Sequence, residues 1–214
     1  MAEEGGGGRN SVAFSADLIV DPVERAAREA RNGLLQFDLG MRMVEEWTAD
    51  RSRRFRLRPS LILSLHREAL DGISAYAGNF RPAGVVIEGS KHQPVGAHMV
   101  PELIEEMCDY VNEYWSETAI HLAAYLMWRL NWIHPFADGN GRTSRILSYV
   151  VLCVRLGYRL PGTPTIPEQI VGNRTPYFGA LDAADAAYRS NEKIDVGEME
   201  TMLKSMLATQ LMGV

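Results

Sequence analysis

The stretch from Ile120 to Ile133 constrains this chain more than any other. Ala123, Ala124, Tyr125, Leu126, Met127, Trp128, Leu130, Trp132 and Ile133 leave almost no polar face on a helix there. A helix that is apolar all round is a buried one, so other elements must wrap around it. A second apolar segment, Ile146 to Leu156, is its natural packing partner. Between the two runs His134-Pro135-Phe136-Ala137-Asp138-Gly139-Asn140-Gly141-Arg142-Thr143-Ser144-Arg145. Polar groups this dense at the junction of two buried helices are costly unless they are paired or put to use.

The rest of the chain also reads as helix. From Pro22, with Asp21 as N-cap, Ala26, Ala30, Leu34, Phe37, Met41 and Val44 recur at helical spacing through Trp47, with a break expected near Gly33. After Pro59, Ser60 can cap a helix whose face is Leu61, Leu65, Ala69 and Ile73. Helical period returns from Val100 to Tyr114. After a connector containing Pro161, Pro164 and Pro167, two more helices are predicted over about 175–189 and 196–211. The exception lies between Phe80 and Pro94, where Val85-Val86-Ile87 followed by Glu88-Gly89-Ser90 predicts a small β-hairpin. The fold class is therefore mostly α, a helical bundle with a small β-hairpin. Residues 1–10, with the tetraglycine Gly5 to Gly8, read as a flexible leader, and residues 11–214 as a single domain.

Composition narrows the function classes. At 214 residues, 46% of them hydrophobic, one soluble domain can bury a sizeable core. A formal net charge of -5 argues against a nucleic-acid-binding protein, although Arg51, Arg53, Arg54, Arg56 and Arg58 form one basic stretch, read as an exposed connector. Cys108 and Cys153 sit apart in apolar surroundings, which fits reduced thiols. His66, His92, His98 and His121 lack metal-site spacing, and His92 is expected to be exposed on the hairpin. The start lacks the basic and apolar regions of a secretory signal, and no stretch is apolar enough to span a bilayer, so a cytoplasmic protein without membrane contact is expected.

The central dodecapeptide has a chemical logic of its own. Pro135 disfavours helix at the preceding residue, so the buried helix should stop near Ile133 and present His134. Phe136 can plug into the core and leave His134 and Asp138 facing outward. Gly139 and Gly141 permit left-handed backbone, which turns amide N–H groups into an anion nest at the start of the next helix. Arg142 and Arg145, three apart on its first turn, can grip a polyphosphate. Asp138 offers the hard oxygen that Mg²⁺ on a nucleotide seeks, and His134 is the natural general base.

This segment resembles the signature of the Fic (filamentation induced by cAMP) family: His, any residue, Phe, any residue, Asp or Glu, Gly-Asn-Gly-Arg, two residues, Arg. Every fixed position is matched, which chance would give in one window at a rate on the order of 10⁻⁹. The resemblance extends to Phe80-Arg81, to Val85 through Pro94, and to Tyr177 and the 181–185 region. It implies a protein adenylyltransferase with ATP as co-substrate. In that reading His134 deprotonates a target-protein hydroxyl and Asp138 coordinates Mg²⁺. Gly139, Asn140 and Gly141 form the anion hole, and Arg142 and Arg145 hold the β- and γ-phosphates. The hairpin, with Val86, Ile87, Glu88 and Gly89, corresponds to the family's target-positioning flap. A kinase-like branch carries Lys where this chain has Gly141, so nucleotidyl transfer is favoured over phosphorylation. The alternative is a nucleotide-binding interaction module, or a toxin using another nucleotide or phosphoryl donor.

The family's self-inhibitory motif, Ser or Thr, three residues, Glu, then Gly or Asn, aligns with Ala27, Arg31 and Asn32. It therefore reads as degenerate, leaving the chain constitutively active, regulated in another way or held by a separate antitoxin or other inhibitory protein.

Overall fold

The computed structural model describes residues 16–50, 52, 54–87, 90 and 92–214; the Gly-rich leader, Arg51, Arg53, Glu88, Gly89 and Lys91 lie outside them. Among these residues eight α-helices follow one another: α1 (Pro22–Ala49), α2 (Pro59–Leu70), α3 (Val100–Glu113), α4 (Ala119–Ile133), α5 (Asn140–Leu156), α6 (Ile166–Gly172), α7 (Thr175–Asn191) and α8 (Gly197–Met212).

Helix α4 lies at the centre, flanked by α3, α5, α7 and α8. Its buried residues occupy every face, including Leu122, Ala124, Leu126, Trp128 and Leu130. That burial is what its sequence demands. Trp128, fully buried, donates its indole N–H to Asp185 Oδ1 at 2.8 Å, so the large ring is desolvated without stranding its polar atom. Thr118 caps the N-terminus by accepting the His121 amide at 3.1 Å. Helix α5 runs beside α4, and Ser148 Oγ donates to Ala123 O across the seam at 2.8 Å.

Helix α1 packs on α2 and α5. Asp21 Oδ1 accepts the Glu24 amide at 2.7 Å, as the N-cap reading required. The helix continues through Gly33 without the expected break. Gly33 interrupts propensity only weakly, and α2 and α5 hold the helix straight by packing. At Gly40 a Cβ would meet Ile146 and Val150 at 3.0 Å, so α1 and α5 approach closely there. Helix α2 starts two residues earlier than expected, with Pro59 in its first turn and Arg58 as N-cap, leaving Ser60 inside the helix.

The stretch around 80–96 contains no strand among the described residues, and the expected turn at Glu88 and Gly89 lies outside them. Its fastening is a side chain instead: the buried Arg81 donates to Ala83 O at 2.9 Å and also to Val95 O. Val86 is exposed, whereas Ile87 turns inward. Arg54, Arg56 and Arg58 are exposed and alternate with buried Phe55 and Leu57, as an extended connector would. Cys108 and Cys153 are both buried and neither forms a disulfide. No helix of the described residues is long and apolar enough to cross a membrane.

Candidate active site

Helix α4 ends at Ile133, and His134 follows as a left-handed C-cap with φ 52° and ψ 58°. Arg81 Nε donates to His134 O at 2.7 Å and the Arg81 amide donates to Pro135 O at 2.9 Å, so the 80–96 stretch fastens the corner. The side chain of His134 is partly buried, with Nδ1 3.3 Å from Asn131 O. A carbonyl only accepts, so Nδ1 carries the proton and the lone pair sits on Nε2. Burial, with help from Arg81 and His92, pushes the imidazole pKa down to about 4 despite the Asn131 contact.

The next turn is locked from inside. Phe136 is fully buried, and Asn140 bridges it twice: its Oδ1 accepts the Phe136 amide and its Nδ2 donates to Phe136 O, both at 2.9 Å. The Asn140 side chain is thus spent on the loop, and only its amide is left for an anion. His66 accepts the Gly78 amide at Nδ1 (3.0 Å), so its Nε2 carries a proton and donates it to Asp138 O at 3.0 Å. Burial holds His66 neutral with a pKa of about 4.

Gly139 is left-handed (φ 80°), as expected, and a Cβ there would stand 2.5 Å from Leu70 Cδ2. Gly141, by contrast, lies within α5 and is not left-handed. Its glycine serves space: a Cβ would sit 3.1 Å from Arg145 Nη1. Gly139 provides no side-chain cap, and the first α5 bond runs from Thr143 N to Gly139 O at 2.9 Å. The amides of Asn140, Gly141 and Arg142 therefore open on the site without partners among the described residues.

Arg145 makes no ion pair with a carboxylate among the described residues; Tyr177 is its neighbour, itself bonded through its hydroxyl to Asn131 at 2.9 Å. Arg142 pairs with Asp138 at 3.0 Å and lies 3.6 Å from Glu29. Burial pushes the Asp138 carboxyl up, but Arg142, the Gly139 amide and Arg25 outweigh it and hold the group below the usual carboxylate range. Mg²⁺ typically keeps waters and takes one or two carboxylates plus substrate phosphates. Asp138 meets that requirement as a single carboxylate beside an anion site, while no cluster of three or more His, Cys, Asp or Glu exists among the described residues.

Two cavities meet at this point. One of about 1300 Å³ runs along α1 and α6 and contains Asp138, Gly139, Asn140 and Arg142. The other, about 410 Å³, is walled by Trp132, Tyr177 and Phe178, with His92, Asp182 and Asp185 among its polar residues. His134, Gly141, Arg145 and Arg174 line both. Arg174 and His92 were not assigned to the site from sequence. His92 corrects an expectation: its side chain is 9% exposed and contacts Trp132 O at 2.7 Å. The inhibitory alignment is not brought to the site either. Ala27 and Arg31 are exposed and line neither cavity, and Asn32 is buried, donating to Asp71 O at 2.8 Å beyond the end of α2. Several other α1 residues face the larger cavity, among them Ala26, Ala30 and Gly33, and Glu29 is the ionisable one.

The described residues thus form a helical bundle in which an uncapped helix N-terminus and two arginines stand beside a neutral histidine. The Fic/DOC family model matches residues 56–152, and this part of the chain is a Fic domain. It is 31% identical over 166 residues to Protein adenylyltransferase Fic of Drosophila willistoni, covering 76% of this chain and 31% of that one. The chain thus spans about a third of the length of the curated relatives it matches. In fold it resembles a Fic domain containing signaling protein from Bacteroides thetaiotaomicron (TM-score 0.70, 22% identity, 95% of this chain and 74% of that one). It also resembles the BepC protein of Bartonella tribocorum with bound AMPPNP (TM-score 0.57, 12% identity, 88% of each chain).

Proposed function

We propose that this chain is a protein adenylyltransferase that moves AMP from ATP to a Ser, Thr or Tyr hydroxyl of a target protein and releases pyrophosphate. The observation that carries the reading is one juxtaposition: three unpartnered α5 amides, an Arg145 guanidinium without a carboxylate, and a neutral His134 whose Nε2 is unprotonated. The name of the curated relatives and the AMPPNP bound to BepC support the same reaction and the same class of co-substrate.

His134 Nε2 takes the proton of the target hydroxyl as its oxygen attacks the α-phosphorus. The bond from that phosphorus to the oxygen shared with the β-phosphate breaks, and pyrophosphate leaves with the electron pair. The amides of Asn140, Gly141 and Arg142 face the non-bridging oxygens, where charge is stabilised without reorganisation. Arg142 and Arg145 hold the β- and γ-phosphates. Asp138 would hold Mg²⁺, which when bound neutralises phosphate charge. The aromatic walls and polar residues of the smaller cavity suit the nucleobase. With Ala27 and Arg31 exposed, control by a separate inhibitory protein fits better than control by α1 through that motif. The test is to incubate the chain with lysate and ATP labelled separately at the α- and γ-positions. Label reaching protein from the α-position supports the proposal; transfer from the γ-position alone contradicts it.

A further inference from the structure

Helix α1 reaches the motif loop with two side chains, Arg25 and Glu29, that the reaction above does not use. Arg25 Nη2 donates to Asp138 Oδ2 at 3.0 Å, and Arg142 Nη2 donates to the same oxygen at 3.0 Å. Arg142 Nη1 lies 3.6 Å from Glu29 Oε1, and Arg25 Nε returns to that same oxygen at 3.2 Å. Arg25, Asp138, Arg142 and Glu29 therefore close a ring of alternating charge. A further pair, Arg25 Nη1 to Asp17 Oδ1 at 2.8 Å, steadies Arg25 from outside.

Counting lone pairs shows what the ring occupies. An ionised carboxylate offers about four acceptor sites. The two guanidiniums take both sites on Asp138 Oδ2, and the Gly139 amide takes one on Oδ1. One acceptor site remains, so a divalent cation and Arg25, being like charges, compete for the same carboxylate. Arg142, while paired with Asp138 and Glu29, must give up those contacts to bind a phosphate in full. All four side chains keep 23% to 43% of their surface exposed, so each pair is individually weak and the ring can open without unfolding.

Resting on the nucleotide-site reading above, we infer that Arg25 is a resident counter-cation of Asp138, exchanged for the divalent cation when nucleotide loads, and that Glu29 takes up Arg25 after the exchange. Arg25 is a positioning residue: it aims the carboxylate before nucleotide loads and weakens the coupling between metal and nucleotide. Breaking the exchange must therefore change that coupling, which is a binding quantity and reciprocal.

The experiment is calorimetry of AMPPNP on the 214-residue chain, with Mg²⁺ and with EDTA, reading the ratio of the two dissociation constants. Arg25→Gln should raise the advantage conferred by Mg²⁺ about three- to ten-fold over wild type, as expected when a competing cation is removed. Arg25→Lys should stay near wild type, and Asp138→Asn should bring the two dissociation constants close together. Circular dichroism of each variant checks that the helices are intact. Should Arg25→Gln misfold, Glu29→Gln is the second variant; without the Glu29 anchor for the released arginine, its ratio should fall below wild type. An unchanged or lower ratio in Arg25→Gln, or an unchanged ratio in a folded Glu29→Gln, overturns the inference. If Asp138→Asn alters the ratio but Arg25→Gln does not raise it, the exchange fails and the nucleotide site stands; if Asp138→Asn changes nothing, both fail.

Discussion

The His66 ring stacks face to face on Phe136, with centroids 3.7 Å apart and planes within 4° of parallel. Through that stack and the bond from Nε2 to Asp138 O, α2 holds the loop that carries His134 and Asp138. His66→Ala removes both and leaves a carbonyl without its donor. The expected loss is about 2–3 kcal/mol of stability by chemical denaturation. His66→Phe keeps the stack and should recover part of it.

His66 and His134 are both held to a pKa of about 4 by burial, against about 6.5 in the unfolded chain. A depressed pKa means that the unfolded state binds the proton first. The stability of each neutral imidazole is therefore complete above pH 6.5 and lost as pH falls toward 4. At ~1.4 kcal/mol per pH unit, each accounts for up to about 3 kcal/mol. Melting temperature should drop over that window, and His66→Phe should flatten the slope by roughly half.

For the same reason, the acidic limb of the rate profile should fall well below the ordinary histidine value. Adenylylation measured between pH 5 and 8 should not show a loss centred at pH 6.5.

Arg145 and Arg142 differ in their partners, so their alanine variants should differ too. Arg145 has no carboxylate to leave, and Arg145→Ala should weaken AMPPNP binding by about ten-fold or more in calorimetry. Arg142 must first give up Asp138 and Glu29, so Arg142→Ala should cost less.

Gly139→Ala places a Cβ 2.5 Å from Leu70 Cδ2 at a φ of 80°. Strain of order 1–3 kcal/mol should appear in denaturation, accompanied by weaker nucleotide binding as the α5 N-terminus shifts. Wild-type stability in this variant would contradict the left-handed turn.

Much of this architecture was legible because it is local. Continuous apolar character over Ile120–Ile133 marked the central helix, Pro135 marked its end, and the motif spacing marked His134 through Arg145. What escaped was long-range. Arg25, Glu29, His66 and Arg174 meet the loop only through the packing of α1, α2 and α7, and no local period announces that. The Val85–Ile87 run has real β propensity, but the described residues show no strand there, and the neighbouring Ala83 and Val95 carbonyls accept from Arg81. Gly141 was read as a left-handed turn because glycine permits one, whereas its use here is to leave room for Arg145.

The central claim is that His134 acts on the target hydroxyl while the α5 N-terminus and its arginines hold the nucleotide. The most direct measurement is the rate of α-label transfer from ATP to protein by wild type and His134→Ala, with AMPPNP affinity recorded in parallel. The variant should lose about 10²- to 10⁴-fold in rate and keep its affinity within a few-fold. Wild-type transfer by His134→Ala would contradict the account.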